Sequence, residues 1–198
     1  MNICLFDGSA TWGEDDRVNG GWVTLLRNHL APKHIYTYNL GISGDTTLEM
    51  VSRAEAETKM RKPDIIIFSI GLNDSALIAP KHTPRVSLHQ FHNNLTSLLS
   101  IGQKFTQKVV FIGPTSVIED KTTPIPWDKE KFYTNASALQ FSESLKVFCK
   151  SHQLMFISIT NVLTPSDIAS DGLHPNTAGH QRIFEMVKPV IEKMLSSN

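Results

Sequence analysis

The run Ile65-Ile66-Ile67-Phe68-Ser69-Ile70 has no polar face. A strand that is apolar on both sides must be covered on both sides, and parallel sheets between helical layers supply that cover. Ile3 to Phe6, Val109 to Ile112 and Met155 to Ile159 are further short apolar runs that read as strands, and Ile35 to Leu40 is a second strand candidate. Between them lie segments with apolar residues at helical spacing. Trp22, Leu25, Leu26 and Leu30 form one such stripe, ended by Pro32. Thr46 to Arg61 forms the next, opened by a possible capping box, Thr46-x-x-Glu49. Leu88, Phe91, Leu95, Leu98 and Leu99 follow Ser87-x-x-Gln90, and a further helix carries Leu139, Leu145, Phe148 and Cys149. The last stripe runs from Ile183 to Met194 and contains Pro189, where a kink is expected. Strand and helix alternate along the chain, which predicts an α/β fold with a doubly wound parallel sheet of five strands.

A chain of 198 residues without internal repeats or a linker reads as one domain, 1–198. Lys+Arg and Asp+Glu are both 19, a balance that argues against nucleic acid as a partner. The two cysteines, Cys4 and Cys149, sit in apolar runs and read as buried free thiols, with neither a disulfide framework nor a zinc site. No stretch approaches 18 consecutive apolar residues, so no membrane span is expected. The start Met1-Asn2-Ile3-Cys4 runs straight into a strand with no basic leader, and a cytoplasmic location is the expectation.

In doubly wound sheets ligands bind beyond the carboxyl ends of the strands. The residues found there are Asp7-Gly8-Ser9-Ala10-Thr11, Gly41-Ile42-Ser43-Gly44-Asp45, Gly71-Leu72-Asn73-Asp74 and, across a loop, Asp171-Gly172-Leu173-His174-Pro175. Singly each has an ordinary structural reading: Ser9 as a helix cap, Gly44 as a turn residue, Asn73 and Asp74 as turn and cap, His174 as a loop histidine. Together they supply a nucleophile, a base, an orienting carboxylate and oxyanion donors at one edge of a sheet, the parts of an acyl-transfer site.

With these four blocks in this order, the chain resembles the SGNH or GDSL hydrolases, a family of serine esterases, lipases and thioesterases. The resemblance implies a flavodoxin-like sheet of strand order 2-1-3-4-5. It also implies that Ser9 is the nucleophile, His174 the general base and Asp171 the residue that orients the imidazole. The N–H groups of Ser9 and Gly44 and the Asn73 amide would form the oxyanion hole. No cofactor and no metal is implied. The expected partner is a small-molecule ester, with short acyl groups such as acetyl on a sugar or an aryl alcohol favoured because no large apolar insertion is present to wrap a fatty acid. A thioesterase or lysophospholipase of the same family is the alternative.

One block departs from the family pattern, which reads Gly-Asp-Ser where this chain has Asp7-Gly8-Ser9. The carboxylate moves one position, and Gly8 gives the turn before Ser9 more freedom. A less preorganised site is expected, an impaired member that only binds its ligand becomes a further alternative, and restoring the family order is expected to raise activity. A nucleotide-binding flavodoxin-like domain is disfavoured, because the first turn holds only Gly8 and Gly13 and lacks a glycine-rich phosphate loop.

Other features are weaker. Trp12, Trp127, Phe132 and Tyr133 are candidates for a pocket wall, with Trp12 and Trp127 taken as substrate-binding. His89 and His92, with His82 nearby, have metal-like spacing without a completing carboxylate or cysteine and read as solvated histidines. His180 reads as a packing or surface residue. The mixed-charge stretch Glu119 to Lys131 reads as a solvated loop, a candidate lid.

Overall fold

The structure is a computed structural model and describes residues 1–196. Five strands, β1 (Asn2–Asp7), β2 (Tyr36–Gly41), β3 (Ile65–Ser69), β4 (Val109–Ile112) and β5 (Met155–Ile157), form one parallel sheet. Their order is β2-β1-β3-β4-β5, as expected. Because all five run the same way, their carboxyl ends share one edge. The second strand lies one residue further along than its apolar run, and the fifth stops two residues short of it, at Ile157.

The side-chain period of two divides β1 cleanly. Cys4 and Phe6 face one side, and Ile3 and Leu5 face the other. The first face is covered by α3 (Thr47–Arg61), α5 (Leu88–Gln103) and α7 (Asn135–Ser151). Phe6, Phe68 and Phe111 stack across three adjacent strands there, with centroids 5.4 and 5.5 Å apart. The second face is aliphatic, covered by α2 (Trp22–Leu30) and α8 (Thr177–Ser196). Both thiols lie in the aromatic layer, and burial pushes each up to about 12, leaving them unreactive at neutral pH.

The capping box at Thr46 and Glu49 forms in full. At α5 only half of the expected box exists: Ser87 caps Gln90 N–H, while the Gln90 side chain donates to Asn94 instead. Helix α8 continues through Pro189.

Glu119 to Lys131 is not the open loop its composition predicts. It begins with a short helix, Glu119–Thr122, and ends at the two-residue strand Lys131–Phe132. That strand pairs with Leu77–Ile78, which also pairs with Thr83–Pro84, so a small antiparallel ribbon stands beside the main sheet. The Thr122 hydroxyl donates to the Tyr133 carbonyl and ties the segment down from inside.

Candidate active site

The turn after β1 ends in a four-residue helix, Ser9–Trp12, with Ser9 as its first residue. The Asp7 carboxylate accepts from the Thr11 hydroxyl at 2.8 Å and also hydrogen-bonds the Ser69 hydroxyl and the Gly8 N–H. The Thr11 N–H is a fourth donor. A small hollow touches Asp7, yet desolvation by burial outweighs the four donors and raises it to about 6. The displaced carboxylate is therefore a staple within the turn. Gly8 has a use too: a Cβ there would stand 2.5 Å from Asn73 Nδ2. Without one, the Asn73 amide can lie against the turn that carries Ser9. These contacts are made by the pair whose exchange was expected to loosen the turn.

Asp171 and His174 come from one tight turn. Gly172 adopts a left-handed conformation (φ 81°) with Lys121 and the Ile118 carbonyl packed where a side chain would project. Asp171 Oδ1 accepts from the N–H groups of Leu173 (2.8 Å) and His174 (3.1 Å), while Oδ2 lies 2.6 Å from His174 Nδ1. Burial alone would raise Asp171, but the bond from His174 and the two backbone donors prevail and hold it near 2. An ionised carboxylate only accepts, so Nδ1 carries the proton and Nε2 is left as the acceptor. Ser9 Oγ lies 2.8 Å from that Nε2 and donates to it. Hydroxyl, imidazole and carboxylate form one continuous chain, the arrangement from which an alcohol can be made nucleophilic.

The second and third blocks are locked together. Asp74, buried and raised to about 6 by desolvation, accepts from the N–H and the hydroxyl of Thr47. Arg85 donates to the Gly44 carbonyl at 2.7 Å. Asn73 Nδ2 donates to the Asp45 carbonyl (2.9 Å), and Asn73 Oδ1 accepts from the Tyr133 hydroxyl (2.9 Å). Burial pushes the Tyr133 phenol up to about 12, so it stays a donor. Donor at one end and acceptor at the other fix the amide in one orientation and leave a second Nδ2 hydrogen for a ligand.

A cavity of about 410 Å³ opens over these groups, with Ser9, Gly44, Asn73 and His174 in its lining. Trp127 forms one wall, its ring nearly parallel to that of His174 at 6.1 Å between centroids. Tyr133 is also in the wall, whereas Phe132 is not among the lining residues and packs against His82. Trp12, at the end of its helix, is 60% exposed and lies outside this cavity, contrary to expectation. The acidic residues Glu14 and Asp15 belong to the lining and were not anticipated from the sequence.

His180 is fully buried. It accepts from Trp22 N–H and bonds the Glu14 carbonyl, anchoring the loop between Gly13 and Gly21. His82, His89 and His92 make no metal-ligand cluster among the described residues. The set with such spacing is Asp15, Asp171 and His174, whose ligating atoms lie within 4.8 Å of one another. Nδ1 of His174 is already committed to Asp171, which suits this group to holding a proton.

Among solved structures, the lipase/acylhydrolase of Enterococcus faecalis is similar over 98% of this chain and 96% of its own, with a TM-score of 0.79 and 24% identity. TesA matches over 98% and 99% with a TM-score of 0.75 and 20% identity. In sequence, the chain is 25% identical to an acetylxylan esterase of Geobacillus stearothermophilus over 164 residues, 80% of this chain and 73% of that one. It is 28% identical to the esterase TesA of Pseudomonas aeruginosa over 191 residues, 94% and 85% of the two chains. No helix among the described residues is long and apolar enough to cross a membrane. The pattern of the GDSL-like lipase/acylhydrolase family matches residues 8–182, and the chain belongs to that family.

Proposed function

We propose that this chain is a serine esterase acting on small carboxylic esters with short acyl groups, and that residues 1–198 form one catalytic domain. The observation that carries the reading is the unbroken chain Ser9–His174–Asp171, with links of 2.8 and 2.6 Å, opening on a cavity that also holds Gly44 and Asn73. Ser9 Oγ attacks the ester carbonyl carbon while His174 Nε2 takes the hydroxyl proton. Asp171 stabilises the imidazolium that forms. The N–H groups of Ser9 and Gly44 and the second Nδ2 hydrogen of Asn73 receive the developing oxyanion. The tetrahedral species collapses, the bond to the alcohol oxygen breaks, and His174 returns the proton to that oxygen. Water then attacks the acyl-enzyme by the same route, the acid leaves, and Ser9 regains its proton.

Two observations support short acyl groups and a neutral or cationic alcohol. A smaller hollow beside Ser9 offers only about 30 Å³, too little for a long acyl chain. The main cavity is lined by more acidic than basic side chains, which disfavours polyanionic leaving groups such as nucleotide thiols. The relatives named for their substrates, an acetylxylan esterase and an isoamyl acetate-hydrolyzing esterase of Saccharomyces cerevisiae, are named for acetyl esters.

The test is hydrolysis of p-nitrophenyl acetate, butyrate and octanoate by the parent and by Ser9→Ala. The expected result is a loss of about 1,000-fold or more in the variant and a fall in rate from acetate to octanoate. Equal rates in parent and variant would overturn the assignment of Ser9. Preference for octanoate would overturn the short acyl group.

A further inference from the structure

His174 Nδ1 has two carboxylates in reach. Asp171 Oδ2 lies at 2.6 Å and Asp15 Oδ2 at 3.5 Å. Asp15 reaches that position from a special backbone conformation. Its backbone is left-handed (φ 61°), a conformation that a side chain other than Asn, Asp or Gly rarely adopts. Both chain neighbours are pinned. Asp16 accepts from Asn19 N–H, Gly21 N–H and the Thr177 hydroxyl, and the Glu14 carbonyl is bonded by the buried His180. These bonds fix the backbone on either side of Asp15, whose exposed carboxylate stands 3.5 Å from the imidazole Nδ1.

We propose that Asp15 is a positioning residue, a second acceptor for the His174 Nδ1 proton that takes over when Asp171 is displaced or neutral. The role of His174 as base rests on the esterase reading above; the hydrogen-bonding claim does not. Burial and the neighbouring charge of Asp171 raise the Asp15 carboxyl, while His174 opposes this. Replacing Asp171 by a neutral residue removes that repulsion and leaves Asp15 more readily ionised, the state an acceptor needs. Asp15 also lines the cavity, so direct contact with substrate is the competing role.

The experiment compares the parent, Asp15→Asn, Asp171→Asn and the double variant. Asn tolerates the left-handed conformation, and thermal melts check that each protein folds. The first readout needs no turnover: the strongly deshielded Nδ1 proton resonance of His174, assigned by its loss in His174→Gln. It should persist in both single variants and vanish in the double. Loss in Asp171→Asn alone, or persistence in the double, overturns the proposal. The second readout is kinetic. Asp171→Asn should lower kcat about 100-fold, and the double variant should approach the ~10,000-fold loss that accompanies a wrong imidazole tautomer. Asp15→Asn should therefore cost far more kcat in the Asp171→Asn background than in the parent. An equal effect of Asp15→Asn on kcat in both backgrounds overturns the positioning role. Ser9→Ala in the same assay separates this failure from that of the esterase reading, which falls if activity survives in that variant.

Discussion

Asp7 and Asp171 are carboxylates at the same edge of the sheet, and their surroundings drive them in opposite directions. Asp7 meets four neutral donors inside its turn and is raised to about 6. Asp171 meets two backbone N–H groups and an imidazole that can carry positive charge, and is held near 2. Both accept several hydrogen bonds, so the number of donors does not separate them. Depth of enclosure and the presence of a partner that can be charged do. The difference teaches what an ionised carboxylate needs at this edge: the one beside an imidazole stays ionised well below neutral pH, and the one that ties a turn is held closer to its neutral form.

The sharpest way to break this comparison is to move the first carboxylate. In a variant carrying both Asp7→Gly and Gly8→Asp, the new Cβ meets the Asn73 amide and the staple to Thr11 and Ser69 is lost. Esterase activity is expected to fall about 100- to 1,000-fold, the scale of losing one oxyanion donor. The sequence pattern taken alone predicts the opposite, a gain, and a gain in kcat/KM would refute the account of the turn.

A second test uses pH. The folded value of Asp7 lies above its ordinary 3.8, so the folded chain binds more protons between about pH 4 and 6. Stability contributed by Asp7 therefore falls as pH rises through that window. Asp74 acts with the same sign, while Asp171, depressed, adds stability that is lost as pH falls from about 4 towards 2. Asp7→Asn isolates the first contribution. Its stability relative to the parent should improve between pH 4 and 7 by up to roughly 3 kcal/mol, read from urea unfolding at each pH. A difference independent of pH would show that Asp7 titrates normally.

The smallest effect concerns the amide that Gly8 accommodates. Tyr133→Phe removes the donor to Asn73 Oδ1 and leaves the ring in place. A loss of about 1 kcal/mol, a three- to tenfold drop in kcat, is expected, with KM little changed. An unchanged kcat would mean that the Asp45 carbonyl alone orients the amide.

Much of the fold was legible because the strand runs are short and mostly apolar and the helical stripes between them are long. Ser9, Gly44, Asn73, Asp171 and His174 were legible as blocks that follow strands. The tie between Tyr133 and Asn73 was not, since it joins residues 60 apart through one hydroxyl. Nor was Asp15, whose approach to His174 depends on a left-handed residue and on His180, far away in the chain. The ribbon that orders Glu119 to Lys131 is made of two-residue strands, too short to leave any period in the sequence. At Asp7–Gly8 the pattern records residue order alone, while the closeness of Gly8 to the Asn73 amide is visible only in three dimensions.

The bond between Ser9 and His174 spans 165 residues of chain. During synthesis the imidazole is made roughly ten to thirty seconds after the hydroxyl at ribosomal speeds. Until that moment the bond has no second partner, and truncation anywhere before the turn that carries His174 leaves the Ser9 hydroxyl without its imidazole.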